Sequence, residues 1–212
     1  MKITAKQGNN DKIHISVDGE YLTTVDSNYW FSCGYVSGDE IDAQELAAFK
    51  SAAGSRRAVN AGADLLARRE HSKKELRAKL LKKFSPEECE QALERLCELG
   101  LVDDERFASM YARELYERKG MGRRRVKYEL ALKGIESGIA DAVIDEIFDN
   151  DENNIQRIVD IIEKKYYNIE SDEKVRRRAV SALQRLGYSY DEIRRAIRAF
   201  SENTDIEDGW DL

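Results

Sequence analysis

Several residue types are scarce in this 212-residue sequence, and each scarcity excludes a class of structure. Proline occurs once, so helices can continue without the break that an internal proline imposes. The three cysteines, Cys33, Cys89 and Cys97, are too few for a disulfide framework and are expected to be free thiols. There is no apolar run long enough to cross a bilayer, and the first residues lack the apolar core of a signal peptide. These absences predict a soluble, cytoplasmic chain that does not associate with a membrane.

Residues that commonly form catalytic or metal sites are also scarce. The histidines are His14 and His71, and neither has a cysteine or another histidine at ligand spacing. Residues 120–123 contain two glycines without the spacing of a phosphate-binding loop, which favours a turn between helices. The acids at residues 103–105 stand where a helix is expected to begin, and carboxylates there complement the helix dipole. The sequence therefore predicts a non-enzymatic protein, with no catalytic residue, metal site or cofactor.

Positive charge is concentrated in segments, although the net charge of the chain is −6. Residues 55–84 hold ten lysines and arginines against three carboxylates. Residues 201–212 hold five acids and no base, which predicts an acidic, mobile tail. Because the acidic total hides basic segments, the net charge is a poor guide to the partner of this protein.

A β-hairpin is predicted near the N-terminus. Two runs of alternating polar and apolar residues flank the pair Asp18-Gly19, a strong hairpin signal because both central residues of a type I′ turn adopt positive φ. A short helix follows, with Ser27 as its expected N-cap. Asp42 is expected to cap a second helix, which ends where this part of the chain ends. The result is a small α+β extension over residues 1–52.

Beyond this extension, apolar residues recur at helical spacing in blocks of three helices. In the last block Ile155, Ile158 and Ile162 mark one buried face of an amphipathic helix. Large apolar residues close the middle helix of each block, about fifty residues apart, a period typical of helical arrays: they are Phe84, Ile135 and Tyr188. The predicted repeats span residues 53–102, 103–150 and 151–200.

The predicted fold class is therefore mainly α. Tandem three-helix repeats are expected to form an elongated, right-handed helical array behind the small extension that contains the β-hairpin. Charged residues make up 36% of the chain, which is high for one compact globule and favours such an array.

The middle helix of every block is its most basic part. Stacked repeats would align these helices on one side, forming a basic stripe that follows a phosphate backbone without reading base sequence. Taken singly, the same residues fit ordinary solvated helix faces, since lysine and arginine often make i,i+4 pairs. The candidate DNA- and filament-binding residues are Arg68, Arg69, Lys73, Lys74, Arg77, Arg123, Arg124, Arg125, Lys127, Arg176, Arg177 and Arg178.

Three segments resemble the signatures of the RecX family of regulatory proteins. They are residues 69–80 (REHSKKELRAKL), 100–108 (GLVDDERFA) and 120–135 (GMGRRRVKYELALKGI). Together with the triple repeat, the resemblance covers about residues 55–200, and the extension is similar to one that some members carry. The order and spacing of three segments is far more specific than any single one.

The resemblance implies a monomeric regulator of recombination, DNA repair and the SOS response. Such a protein lies in the groove of the filament that RecA forms on single-stranded DNA. It modulates, and mostly inhibits, the ATPase, strand-exchange and coprotease activities of RecA, and it catalyses nothing itself.

Other functions stay open at this point. One is a non-enzymatic helical-repeat DNA-binding protein without a recombinase partner, for example of the helix-turn-helix type, whose sequence readout normally needs a dimer. Another is a helical-repeat scaffold for a different protein, which predicts no salt-dependent retention on DNA. An enzyme is the third, with catalytic residues dispersed along the chain.

Overall fold

The computed structural model describes residues 1–149 and 151–207, and these residues form three strands and ten helices. The strands are β1 (Ile3–Gln7), β2 (Lys12–Val17) and β3 (Glu20–Asp26). The helices are α1 (Ser27–Ser32), α2 (Ala43–Leu66), α3 (Lys73–Leu80), α4 (Pro86–Glu98), α5 (Asp104–Glu117), α6 (Arg123–Leu132), α7 (Ser137–Ile147), α8 (Asp151–Lys165), α9 (Glu173–Arg185) and α10 (Tyr190–Glu207). The chain divides into two compact units, Met1–Val102 and Asp103–Leu212. The fold is thus mainly helical, as the sequence predicts.

The strands form one antiparallel sheet in the order β1-β2-β3. The turn between β2 and β3 has Asp18 at φ 50° and Gly19 at φ 87°, which confirms the predicted hairpin. Strand β1 was not predicted, because its five-residue run is too short to stand out from the sequence. Its register with β2, which begins at Ile3 opposite Val17, buries Ile3 completely. A third strand therefore completes the small core of the extension.

Helix α1 begins one residue earlier than predicted, because Asp26 and not Ser27 is its N-cap. The Asp26 carboxylate accepts a hydrogen bond from the Tyr29 amide at 2.9 Å and two from the Arg56 guanidinium at 2.6 and 3.0 Å. The guanidinium bond lowers the pKa of Asp26 below its ordinary value. Since Arg56 belongs to α2, this pair connects α2 to the end of the sheet.

Helix α2 corrects the predicted boundary at residue 52, because it continues to Leu66 without a break. Its first half places Phe49 and Ala53 in the core of the sheet, and its second half places Ala58 in the core of the first repeat. Gly54 lies between them and would meet the Glu88 side chain if it carried a Cβ atom. A glycine there costs some helix propensity but allows α4 to approach closely. One helix thus belongs to both the extension and the first repeat.

Each repeat buries its own small core on the predicted apolar faces. The first core includes Leu76, Cys89, Leu93 and Leu96, the second Phe107, Leu115, Leu130 and Ile144, and the third Ile158, Ile162, Leu183 and Tyr188. Serine caps precede three of the helices, since Ser72, Ser85 and Ser189 each accept a bond from the amide three residues later. These caps fix the starts of α3, α4 and α10.

Within the second unit, the second and third repeats are joined through backbone atoms. The Gly122 amide donates to the Leu186 carbonyl at 2.8 Å, and the Arg124 amide to the Gly187 carbonyl at 3.3 Å. The buried Tyr188 hydroxyl donates to the Gly120 carbonyl at 3.0 Å, and burial raises the pKa of Tyr188 to about 12. The carbonyls that end α9 therefore cap α6, whose own N-cap Gly122 has no side chain for the purpose. Residues 120–122 belong to the turn between α5 and α6, which confirms the predicted turn, and Arg123 begins α6.

The predicted acidic tail begins inside a helix. Helix α10 continues to Glu207, whereas the sequence predicts the tail from residue 201 onward. The rest of the predicted tail, residues 208–212, lies outside the described residues. Across the described chain, none of the helices combines the length and the apolar character that crossing a membrane requires.

Candidate nucleic-acid interface

The candidate basic residues lie on the surface of the middle helices α3, α6 and α9 or just before α3. All are exposed except Arg125, which is half-buried. Exposed cations keep their hydration, so their presence costs little in folding and they are accessible to a phosphate. Within the same described residues, no three histidine, cysteine or carboxylate side chains come together as a group that could hold a metal ion.

The buried residues define which positions correspond between repeats. Each middle helix buries two residues four positions apart: Leu76 and Leu80, Val126 and Leu130, Ala179 and Leu183. Each third helix buries a residue four positions after its N-cap: Cys89, Ala140 and Ile193. On this correspondence, the residue three positions before the first buried one is basic in every middle helix: Lys73, Arg123 and Arg176.

In the first two repeats, basic residues of the middle helix pair with acids of the third helix. Arg77 on α3 pairs with Glu90 on α4, and Lys127 on α6 pairs with Asp141 on α7 at the corresponding positions. The hydrogen bond from Lys127 lowers the pKa of the Asp141 carboxyl below its ordinary value. These pairs are exposed, so they add little to stability, but they neutralise part of the predicted basic stripe.

The second repeat contains another such pair, between Arg123 and Asp145. On the same helix, Arg125 pairs with Glu129 at 2.6 Å. The Arg125 guanidinium also lies over the ring of Tyr128, 5.2 Å from the ring centroid. In the third repeat, Arg177 pairs with Glu173 at 3.1 Å within α9. Among the described residues, carboxylate partners are absent for four of the candidates: Arg68, Arg124, Arg176 and Arg178.

The third repeat reverses the charge pattern of the other two. At the positions of Asp141 and Asp145, helix α10 carries Arg194 and Arg198, both exposed. Val180 replaces Lys127. The second repeat therefore has two cations and two anions at four positions, which are 123, 127, 141 and 145. The third repeat has three cations and no anion at the corresponding positions, which are 176, 180, 194 and 198. Among the surfaces that these positions form in the three repeats, the surface of the third repeat therefore carries the most positive charge.

A shallow groove between α9 and α10 brings two of these cations, Arg176 and Arg194, beside an aromatic ring. Its lining residues are Arg176, Val180, Tyr190, Ile193, Arg194 and Ile197. The Tyr190 residue is 61% exposed, so its ring is accessible from solvent. The sequence reasoning missed Arg194, Arg198 and Tyr190. Comparing corresponding positions of the three third helices, which are acidic in the first two repeats and basic in the last, would have found the arginines.

Two larger grooves lie elsewhere along the basic helices. One, of about 360 Å³, lies beside α9 and is lined by Tyr166, Arg177, Arg178, Ser181, Ala182 and Arg185. The other, of about 340 Å³, lies between α2 and the end of α3, where Arg68 is joined by Lys79, Lys82 and Lys83 around Phe84. These three lysines are among the ten bases of residues 55–84. They were not selected as candidates, because the sequence reasoning selected the start of the helix and not its end.

Arg69 has a local structural contact. Its guanidinium lies 3.1 Å from the Glu75 carboxylate, which also meets Nδ1 of the buried His71 at 3.3 Å. Burial lowers the pKa of His71, and the charge of Arg69 lowers it further, while Glu75 opposes both effects. This cluster fixes the start of α3, so Arg69 is less accessible to a phosphate than an isolated surface arginine.

The stability of the first unit is expected to fall as the pH drops below about 6.5, the ordinary pKa of histidine. Unfolded His71 takes up a proton near that pH, whereas folded His71 does so only at a lower pH. The unfolded state therefore binds more protons in this window, and protonation favours it. Urea denaturation above and below this pH, compared with His71→Gln, measures the effect. A His71→Gln variant that loses as much stability as the wild type would contradict the assignment.

Three family models match this chain, one for each repeat. They are described as "RecX, first three-helix domain" at residues 58–96, "RecX, second three-helix domain" at residues 103–144 and "RecX, third three-helix domain" at residues 151–197. The matched ranges contain the middle helices that carry the candidate basic residues.

Curated proteins and solved structures agree with these models. The protein named regulatory protein RecX of Clostridium acetobutylicum is 29% identical over 95% of this chain and 96% of its own length. That of Caldanaerobacter subterraneus subsp. tengcongensis is 32% identical over 76% of this chain and 81% of its own length. A crystal structure of regulatory protein RecX superposes with a TM-score of 0.73 at 22% identity, covering 90% of this chain and 94% of the other. The structure of RecX from Lactobacillus salivarius gives a TM-score of 0.63 at 23% identity, covering 71% and 98%.

Proposed function

This chain belongs to the RecX family of regulatory proteins, and from that membership we propose that it binds the filament of RecA on single-stranded DNA and restrains its activities. The activities are ATP turnover, strand exchange and coprotease function. The protein acts as a cytoplasmic monomer in recombination, DNA repair and the SOS response, and it catalyses no reaction itself. Curated relatives named as regulatory proteins support the regulatory part of this proposal.

The observation that carries the proposal is the recurrence of exposed cations on three successive middle helices. A filament of protein and DNA repeats its own surfaces, so an array of similar units can contact several of them at once. Weak contacts made by linked units add up through effective concentration. Such a ligand shifts the equilibrium between two states of the filament only by the difference between its affinities for them.

The test is a steady-state ATPase titration of the cognate RecA on single-stranded DNA, with filament cosedimentation measured in parallel. We expect this protein to lower the rate of ATP hydrolysis as it saturates the filament and to hydrolyse no ATP alone. Because basic faces carry the contact, the effect is expected to weaken as salt rises. Tight binding with unchanged ATP turnover and strand exchange would reduce the protein to a scaffold. Absence of binding to the filament would overturn the proposal.

A second function, DNA binding without a recombinase partner, is favoured by the charge reversal of the third repeat. Arg176, Arg194 and Arg198 form a basic surface beside an exposed aromatic ring, and such a surface can hold nucleic acid without another protein. Retention on bare DNA with no effect of the protein on recombinase ATP turnover would select this function.

A further inference from the structure

We propose that the third repeat is the principal single-strand contact of this protein. A strand of nucleic acid lies over α9 and α10, with its phosphates on Arg176, Arg194 and Arg198 and a base stacked on Tyr190. This inference deepens the proposed function and rests on it for the biological setting. The contact itself needs no recombinase, so it can be tested on the protein alone.

The charge of this surface comes from a change at two positions of the third helix. In the second repeat, Asp141 and Asp145 hold the side chains of Lys127 and Arg123, so a phosphate would have to displace a carboxylate from each. In the third repeat both acids are arginines, so no carboxylate at these two positions holds the cation of the middle helix, Arg176. The same change removes the negative charges that would repel the strand.

The remaining ion pair at this surface is a weak competitor. Arg194 lies 3.6 Å from Asp191, one turn earlier on α10, and the side chains of these residues are 65% and 80% exposed. Exposed pairs of this kind contribute little to stability, because solvent screens them and their side chains are flexible. A phosphate can therefore replace Asp191 as the partner of Arg194 at little cost.

The groove itself favours an unpaired strand over other polyanions. Tyr190 presents its exposed ring beside Val180 and Ile197, so arginines and a flat apolar surface occur together. Every base of a single strand has a face that stacks on an aromatic ring, whereas a duplex keeps those faces inside its own stack. The groove holds only about 50 Å³, which is too small to enclose a base or a partner side chain. The base would therefore stack on the outside of the groove.

The test measures the binding of the full-length protein to a fluorescently labelled oligothymidylate by fluorescence anisotropy, over a series of salt concentrations. The first variant, Arg194→Asp with Arg198→Asp, restores the acids of the second repeat. We expect its affinity to fall about tenfold or more, and the slope of log K against log salt to decrease by about 1.4, or about 0.7 for each lost phosphate contact. Both positions are exposed, so the fold is expected to persist, which circular dichroism checks.

A matched control keeps the same change in net charge. Arg57→Asp with Arg95→Asp alters two exposed arginines of the first repeat and is expected to leave the affinity within about twofold of wild type. For the stacking contact, Tyr190→Ser is expected to weaken binding about fivefold or more, whereas Tyr190→Phe keeps the ring and the affinity.

Three results would overturn this inference. They are wild-type affinity in the Arg194 and Arg198 variant, an equal loss in the matched control, and no binding of the oligonucleotide by the wild type.

The same variants in the recombinase ATPase assay separate the two proposals. If the variant binds the oligonucleotide normally but no longer restrains ATP turnover, the surface contacts an acidic protein, so the inference fails and the proposed function remains. If the oligonucleotide contact is lost on substitution while the wild type never restrains ATP turnover, the inference stands and the proposed function fails.

Discussion

Gly187→Ala is expected to lower the free energy of unfolding of the second unit by about 3 kcal/mol. Gly187 has φ +96°, a region that L-residues with a side chain rarely adopt. An added Cβ atom would lie 2.6 Å from the Cβ atom of Arg125 and 3.0 Å from its Cα atom. Because these atoms belong to or adjoin the backbone of α6, the clash cannot be relieved by rotating a side chain. Urea denaturation followed by circular dichroism measures the change.

The chain offers a control for this substitution. Gly138 lies in α7 with nothing within 4 Å of its added Cβ atom, and its φ is not in the left-handed region. Gly138→Ala is therefore expected to leave stability unchanged or to raise it by up to about 1 kcal/mol. If Gly187→Ala were as stable as Gly138→Ala, the close contact between the second and third repeats would be wrong.

Features with a local cause were predictable from the sequence. The hairpin at Asp18 and Gly19 depends on two residues that tolerate positive φ, and the helix starts at Ser85 and Ser189 depend on a side chain three residues from its partner. The apolar faces of the repeats have the helical period within one segment. In each case the residues that determine the structure are close neighbours in the chain.

Features that depend on distant residues were not predictable in the same way. Helix α2 continues to Leu66 because α4 packs against it at Gly54. The residue of α4 that lies against Gly54 is Glu88, which is more than thirty residues later in the chain. Strand β1 exists because β2 offers it a partner. In both cases the local sequence is compatible with several outcomes, and tertiary packing selects one of them.

The same distinction between local and distant residues applies to the candidate interface. Clusters such as residues 123–125 are visible in the sequence, so the basic middle helices could be predicted. Their neutralisation could not, because Arg77 and Glu90 meet only after α3 packs on α4. The reversal at Arg194 and Arg198 is present in the sequence, but it depends on aligning the third helices, and the buried residues supply that alignment.

The junction between the second and third repeats also includes side chains. The Tyr116 hydroxyl donates to the buried Asn154 at 2.9 Å, and the Arg157 guanidinium lies 4.0 Å from the centroid of the Tyr116 ring. Arg157 also donates to the Tyr116 and Glu117 carbonyls at 3.0 and 3.3 Å, where α5 ends. The third repeat thus satisfies backbone groups at the end of α5 as well as at the start of α6.

Ending the chain after Asp149 is therefore expected to destabilise the second repeat as well as to remove the third. The Gly122 and Arg124 amides would lose their carbonyl partners, and the Tyr116 ring would lose its cation. At about 1 kcal/mol for each of these two hydrogen bonds and for the cation–π contact, α5 to α7 are expected to lose at least about 3 kcal/mol. This corresponds to roughly 100-fold faster hydrogen exchange of their protected amides, if those amides exchange through opening of the whole repeat.

Hydrogen–deuterium exchange detected by mass spectrometry measures this effect, with the amides of α3 and α4 as an internal reference. A chain that ends after Glu207 keeps all of these contacts and is the matched control. Unchanged protection of α5 to α7 in the shorter chain would mean that the repeats fold independently. Any loss of recombinase inhibition on truncation could then be assigned to missing contacts alone. If protection falls as expected, truncation alters two repeats at once, and the exposed substitutions at Arg194 and Arg198 are the cleaner probe of the interface.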